Sequence, residues 1–120
     1  DREEPGADKV ATALENTAYM SAVNWAEVLS KISELDIDYN DTVKHLKEQG
    51  ILGEALVIVP LTEKDGTKLA KLRQLTRKHG LSLGDRACLA LAETMKAKAL
   101  TTDKNWQQIK LPHLKVELIR

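Results

Sequence analysis

The segment ALVIVPL, residues 55–61, carries the clearest fold signal in the chain. Its β-branched residues follow one another without a polar interruption, which is typical of a parallel strand buried on both faces. A leucine-rich helical pattern follows over residues 63–79 and ends at Gly80. A strand that leads into a helix is the repeating unit of an α/β fold, so this segment predicts a parallel sheet covered by helices.

The same alternation extends in both directions along the chain. Before this segment, the pattern predicts a helix at about residues 5–15, a strand in TAYMSAV (17–23), a helix over 24–35 and a helix over 42–49 after the capping candidates Asn40 and Asp41. After it, the pattern predicts a helix over 83–97, a strand in ALTT (99–102), a helical turn over 103–109 and a closing strand in LKVELI (114–119). In such folds, ligands bind beyond the carboxyl ends of the strands.

Length and composition predict a single domain over residues 1–120. Apolar residues make up 42% and charged residues 30% of the chain, as in globular proteins rather than disordered or fibrous ones. The only cysteine, Cys88, excludes an intrachain disulfide and favours a reducing compartment, so we expect a cytoplasmic location. The longest apolar stretch, residues 55–61, is far shorter than the roughly 20 residues of a membrane-spanning helix.

The net charge of zero hides an uneven distribution. Residues 1–48 have a net charge of −6, and residues 49–120 have a net charge of +6. The segment Lys64–Lys78 holds six Lys and Arg against one acid, Asp65. Such a segment is either a contact surface for a polyanion or a solvated helix face, and we favour the solvated face.

Asp85 stands at the head of an apolar helix in LSLGDRACLALA, residues 81–92. Ser82 and Asp85 match a capping box, which by itself explains a carboxylate at this position. Apolar residues also follow Asp85 at i+3, i+4, i+7 and i+10, which aligns it with an apolar stripe that points inward. The sequence leaves both interpretations open, a helix cap and a site residue.

Two further carboxylates fall near the carboxyl ends of predicted strands. Asp103 ends the strand in ALTT, where helix capping is the plain alternative. Glu27 lies four residues before Lys31, where a surface ion pair is the plain alternative. Taken together with Asp85, they predict a common pocket at one edge of the sheet.

Clustered carboxylates need a counter-charge, and hard oxygen ligands without Cys or His select Mg²⁺ or Mn²⁺. Ions held in this way usually act on phosphates. Arg86 is a candidate for binding a phosphate or a carboxylate, because its guanidinium group donates two parallel hydrogen bonds. His45, His79 and His113 lie in separate segments without the spacing of a zinc site.

Three segments resemble the PIN-domain ribonucleases, and specifically the VapC-type toxins of bacterial toxin–antitoxin pairs. They are YMSAVNWAEVLSKI, GLSLGDRACLALA and ALTTDKNW, in this order and followed by a closing VELIR. The resemblance covers nearly the whole chain. It implies a three-layer α/β/α fold on a parallel sheet and a Mg²⁺- or Mn²⁺-dependent endoribonuclease that a cognate antitoxin inhibits.

The resemblance also implies roles for individual residues. The acidic metal site of the family maps to Glu27, Asp85 and Asp103 as catalytic metal ligands. Supporting positions follow from the same match: Thr101 or Thr102 beside the ion or beside Asp103, and Ser21 or Asn24 along the same pocket. A homodimer and an antitoxin segment bound beside the acidic site are further implications.

The match departs from the family at the amino end. PIN domains begin with a central strand whose Asp binds metal, between the strands around Met20 and Leu100, and the sequence starts at Asp1, after that strand. We therefore expect that the native protein is longer at its amino end or that another segment fills this gap. Two other functions stay open: a catalytically inactive PIN-like module that binds an antitoxin or RNA, and a phosphatase or nuclease acting on DNA or small phosphates.

Overall fold

The computed structural model describes residues 17–101 and 115–118. Within these residues it has four strands and four helices, which form two compact units. The described part of the first unit is residues 17–61, and that of the second is residues 62–101 with 115–118. The expected helix near residues 5–15 and the helical turn at 103–109 lie outside the described residues.

The first unit contains two parallel strands and two helices, in the order β1, α1, α2, β2. Their bounds are Ala18–Ser21 for β1, Ala22–Glu34 for α1, Tyr39–Glu48 for α2 and Leu56–Val59 for β2. The two strands pair in parallel, with Ala18 opposite Leu56 and Ser21 opposite Val59. This confirms the strand predicted in residues 55–61. Its four residues are partly exposed rather than buried on both faces, since β1 is the one strand paired with β2 in the described part of the chain.

Both helices of the first unit begin earlier than the sequence predicts. The side chain of Ser21 caps α1 by accepting a hydrogen bond from the Asn24 amide, so the helix starts at residue 22. The side chain of Asp38 caps α2 by accepting from the Asn40 amide at 2.9 Å. The predicted caps of α2, Asn40 and Asp41, are therefore wrong, because they lie inside its first turn. The helix ends as predicted before Gly50, whose positive φ of 70° suits a residue without a side chain.

The second unit contains two helices and a second pair of parallel strands. Their bounds are Glu63–Leu75 for α3, Leu83–Met95 for α4, Lys98–Thr101 for β3 and Lys115–Leu118 for β4. The predicted helix over 63–79 is shorter in the structure, because after residue 75 the chain continues as a 3₁₀ turn, Arg77–His79, that ends at Gly80. Strand β3 pairs with β4 in parallel, with Lys98 opposite Lys115.

Every buried hydrophobic residue in the described part of the chain lies in the second unit. These residues are Leu69, Leu72, Leu81, Ala87, Leu89, Ala90, Ala92 and Ala99. Buried Thr76 satisfies its hydroxyl by donating to the Leu72 carbonyl at 2.6 Å, which spares the cost of an unpaired polar group. The α/β fold class with parallel strands is thus confirmed. The further strand expected between the strands around Met20 and Leu100 stays a prediction.

Candidate active site

A chain of hydrogen bonds leads from the end of β1 to the carboxylate of Glu27. The Ser21 hydroxyl donates to Asn24 Oδ1 at 2.7 Å, and the Asn24 amide nitrogen Nδ2 donates to Glu27 Oε1 at 3.2 Å. Because the three residues are spaced by three, they lie on successive turns of one side of α1. The buried residue Ser21 thus orients an exposed carboxylate two turns away.

Glu27 is open to solvent in a shallow groove along α1. The lining of this groove includes Ala22, Ala26, Ser30 and Lys31. The sequence also allowed a surface ion pair between Glu27 and Lys31. Among the described residues the contact of Glu27 is the bond from Asn24 instead, and its second oxygen accepts no hydrogen bond from another described side chain. A carboxylate oriented through one oxygen in this way is a suitable ligand for a cation.

Asp85 forms the predicted capping box at the start of α4. The Ser82 amide donates to Asp85 Oδ2 at 3.1 Å, and the Asp85 amide donates to Ser82 Oγ at 3.1 Å. This pair satisfies two amides that the first turn of a helix otherwise leaves without partners. The capping interpretation of Asp85 is therefore confirmed.

The same carboxylate also lies next to the apolar stripe of α4. Further along this stripe Leu89 is 0% exposed and Ala92 is buried, whereas Met95, at its far end, is exposed. Asp85 and Cys88 are partly exposed. Burial raises the pKa of the Cys88 thiol, and the negative charge of Asp85 raises this pKa further. The structure thus shows Asp85 as a partly exposed helix-capping residue, and its inward orientation towards a site stays a prediction.

Arg86 contacts the neighbouring helix. Its Nη1 donates to the main-chain carbonyl of Leu69 in α3 at 2.8 Å. Its Nε is buried and has no hydrogen-bond partner within the described part of the chain. The structure thus gives Arg86 a role in joining α3 to α4, and its predicted contact with a phosphate or carboxylate stays a prediction.

The structure describes only some of the remaining predicted site residues. Thr101 is the last residue of β3, while Thr102 and Asp103 lie outside the described residues. Glu27 belongs to the first unit and Asp85 to the second. Over residues 17–101 and 115–118, no three His, Cys, Asp or Glu side chains form a group able to hold a metal ion. The predicted trio includes Asp103, so its convergence on one ion stays a prediction.

Sequence reasoning missed two contacts near these residues. The bond from Asn24 to Glu27 has a readable signal, because residues 21, 24 and 27 are all polar and spaced by three. The contact between Arg86 and the Leu69 carbonyl has no local signal, since it joins residues 17 positions apart through packing of two helices.

Comparison with protein families matches residues 2–111 to the PIN domain. The chain belongs to the PIN-domain family. Members of this family are generally nucleases and usually bind divalent metals, and membership suggests an RNA substrate. The matched range includes Glu27, Asp85 and Asp103. Comparisons with curated proteins and with solved structures found no significant match. Within the described residues, no helix has the length and apolar character needed to span a bilayer.

Proposed function

We propose that this PIN domain is a metal-dependent endoribonuclease toxin that hydrolyses RNA phosphodiester bonds and is neutralised by a cognate antitoxin. The observation that carries the proposal is the state of the two described carboxylates, Glu27 and Asp85. Each is oriented through one oxygen by a hydrogen bond inside its own helix. Neither carboxylate forms an ion pair with another described residue.

The donor set fits a hard divalent cation such as Mg²⁺ or Mn²⁺. Glu27, Asp85 and Asp103 would supply carboxylate oxygens, with Thr101 or Thr102 beside them. When bound, such an ion supplies positive charge to a phosphodiester and activates water for attack. Ser21 and Asn24 fix the direction of the Glu27 carboxylate, and Ser82 fixes that of Asp85, so little reorganisation is needed on binding.

Inhibition by an antitoxin follows from the same carboxylates. An Arg or Lys side chain from a bound segment would pair with them in place of the cation, and the complex would hold the enzyme inactive. The antitoxin, the homodimer and VapC-type specificity are supported by the resemblance of the three sequence segments.

The decisive experiment measures cleavage of a structured RNA by the purified full chain with Mg²⁺, with Mn²⁺ and with EDTA. We expect cleavage with either ion and none with EDTA. Glu27→Gln should remove at least about 99% of the rate, because it replaces a charged ligand with a neutral one. Glu34→Gln is the matched control, since Glu34 lies on the same helix and lines the same groove.

Each result decides between the proposed functions. Full cleavage in EDTA or by the Glu27→Gln variant would contradict the metal-dependent mechanism. Antitoxin binding without cleavage at any Mg²⁺ concentration would show the inactive interaction module instead. A panel with DNA and small phosphate esters separates the ribonuclease from a nuclease or phosphatase of other specificity.

A further inference from the structure

Helix α3 and the 3₁₀ turn after it form the most basic segment of the described chain. Over residues 63–78 there are six cations and two acids. The cations are Lys64, Lys68, Lys71, Arg73, Arg77 and Lys78. All of them are exposed except Lys68, which is partly buried. The segment therefore presents a concentrated positive charge to solvent.

Most of this positive charge is not neutralised within the described part of the chain. No cation of the segment forms an ion pair with another described residue. Asp65 turns back to the start of its own helix, where its Oδ2 accepts from the Thr62 amide at 2.7 Å and from the Thr62 hydroxyl at 3.0 Å. These bonds lower the pKa of Asp65 and fix its carboxylate at the helix start. Lys68 lowers this pKa further, so Asp65 offsets part of the positive charge at this one position.

Three of the lysines form a line along one side of α3. Lys64, Lys68 and Lys71 are spaced at i, i+4 and i+7, so their side chains follow one another on successive turns. We call these three residues the α3 stripe. It extends about 10 Å along the helix, given a rise of about 1.5 Å per residue. Such a line of cations matches a chain of phosphates rather than a single anion.

Two hydrogen bonds join α3 to α4, the helix whose first turn contains Asp85. Arg86 donates to the Leu69 carbonyl, and Lys68 Nζ donates to the Thr94 hydroxyl. These contacts reach adjacent residues in the middle of α3, beside buried Leu69 and Leu72. A helix that is already held in place loses less main-chain entropy when it binds a partner.

The chemistry of the stripe favours a nucleic acid over a protein partner. Protein interfaces have an apolar centre, and the exposed apolar residue on this side of α3 is Leu75 at its end. Binding to a phosphate backbone needs no apolar centre and strengthens with the number of cations that contact it. We propose that the α3 stripe binds the phosphate backbone of the RNA substrate without regard to sequence. The proposal rests on the proposed ribonuclease function and extends it to the residues that hold the substrate.

The test is RNA binding by the full chain in EDTA, with a labelled structured RNA over a range of salt concentrations. In Lys64→Gln/Lys71→Gln, we expect affinity to fall about tenfold and the slope of log K against log salt to decrease by about 1–2. Lys68 is left intact because it joins the two helices. Lys64→Arg/Lys71→Arg should retain the wild-type affinity, since it preserves both charges.

The matched control is Lys44→Gln/Lys47→Gln, which removes the same charge from exposed positions on α2 of the first unit. We expect no change in the salt slope for this control. An equal loss in the control, or an unchanged slope in the α3 variant, would overturn the proposal. Thermal unfolding of each variant checks that the fold is retained, and the arginine variant separates loss of charge from loss of packing.

The outcome is independent of catalysis, because binding is measured without metal. If the wild type cleaves RNA but the α3 variant binds it as before, the stripe proposal fails and the ribonuclease function stands. If the wild type cleaves nothing but the α3 variant loses RNA affinity, the ribonuclease function fails and the RNA-binding surface stands. Loss of binding to an acidic protein with RNA affinity unchanged would overturn the choice of partner.

Discussion

Helices α3 and α4 begin with the same local pattern, a hydroxyl residue followed three positions later by Asp. In α3 the pattern is Thr62 and Asp65, and in α4 it is Ser82 and Asp85. In both, the amide of the first residue donates to the carboxylate, at 2.7 Å in α3 and at 3.1 Å in α4. Both aspartates therefore satisfy the main-chain amide of the residue that precedes their helix.

They differ in what surrounds them. Asp65 accepts a second bond from the Thr62 hydroxyl, and its pKa is lowered by these two contacts and by Lys68. Among the described residues, Asp85 accepts the bond from the Ser82 amide alone, while its own amide donates to the Ser82 hydroxyl oxygen. Two residues of α3 are buried against five of α4, so Asp85 lies in the first turn of the more buried helix. The same capping pattern thus occurs in two different surroundings, and the proposed metal-binding role of Asp85 predicts that the two aspartates differ in function.

The strongest test of this difference is to remove the charge of Asp85 and that of Asp65 in separate variants. We expect Asp85→Asn to lower RNA cleavage about a thousandfold, which corresponds to about 4 kcal/mol in the activation free energy. Asp65→Asn should change the rate by less than about threefold. Asn retains an oxygen that accepts the capping bond, so both variants should have similar stability.

The measurement is kcat/KM at saturating Mg²⁺, with urea unfolding of both variants as the check on folding. Equal losses of activity in the two variants would show that Asp85 acts as a cap only. Retained activity in Asp85→Asn would remove it from the proposed mechanism.

The fold was readable from the sequence where a signal is local and apolar. The run at residues 55–61 identified β2, and the helical periodicity identified α1, α3 and α4. Helix starts were less accurate, because the choice between Asp38 and Asn40 as a cap depends on which side chain meets an amide after the chain folds. The helix ending at Gly50 was predicted correctly, whereas Gly80 ends the 3₁₀ turn after α3 and not α3 itself. Both glycines adopt the left-handed conformation that favours glycine.

The candidate site was readable as a set of residue types but not as an arrangement. Asp85 was identified together with its capping partner, because both lie within four residues. The orientation of Glu27 by Asn24 depends on the rotamers of α1, and the contact of Arg86 with Leu69 depends on how two helices pack. Residues that meet through tertiary packing leave no pattern in a single sequence.

The two capping boxes should also differ, by a smaller amount, in how much each contributes to the free energy of unfolding. We expect Ser82→Ala to lower the free energy of unfolding by about 1 kcal/mol, because the Asp85 amide loses its acceptor. Thr62→Ala should cost about half as much, since the shortest bond to Asp65 comes from the Thr62 main chain and remains. Urea unfolding at neutral pH measures both. A larger loss in Thr62→Ala would mean that the hydroxyl bond, not the main-chain bond, stabilises α3.

The smallest effect concerns the thiol of Cys88, which reports the charge of Asp85. Burial is the main cause of its raised pKa and Asp85 the second, so Asp85→Asn should lower this pKa and increase the thiolate fraction at a given pH. The pH dependence of alkylation by iodoacetamide measures the shift, with Asp65→Asn as the control that should leave it unchanged. If Asp85 binds the cation, adding Mg²⁺ to the wild type moves the titration in the same direction and has no effect in Asp85→Asn. A wild-type titration that does not respond to Mg²⁺, under conditions where RNA is cleaved, would place the cation away from Asp85.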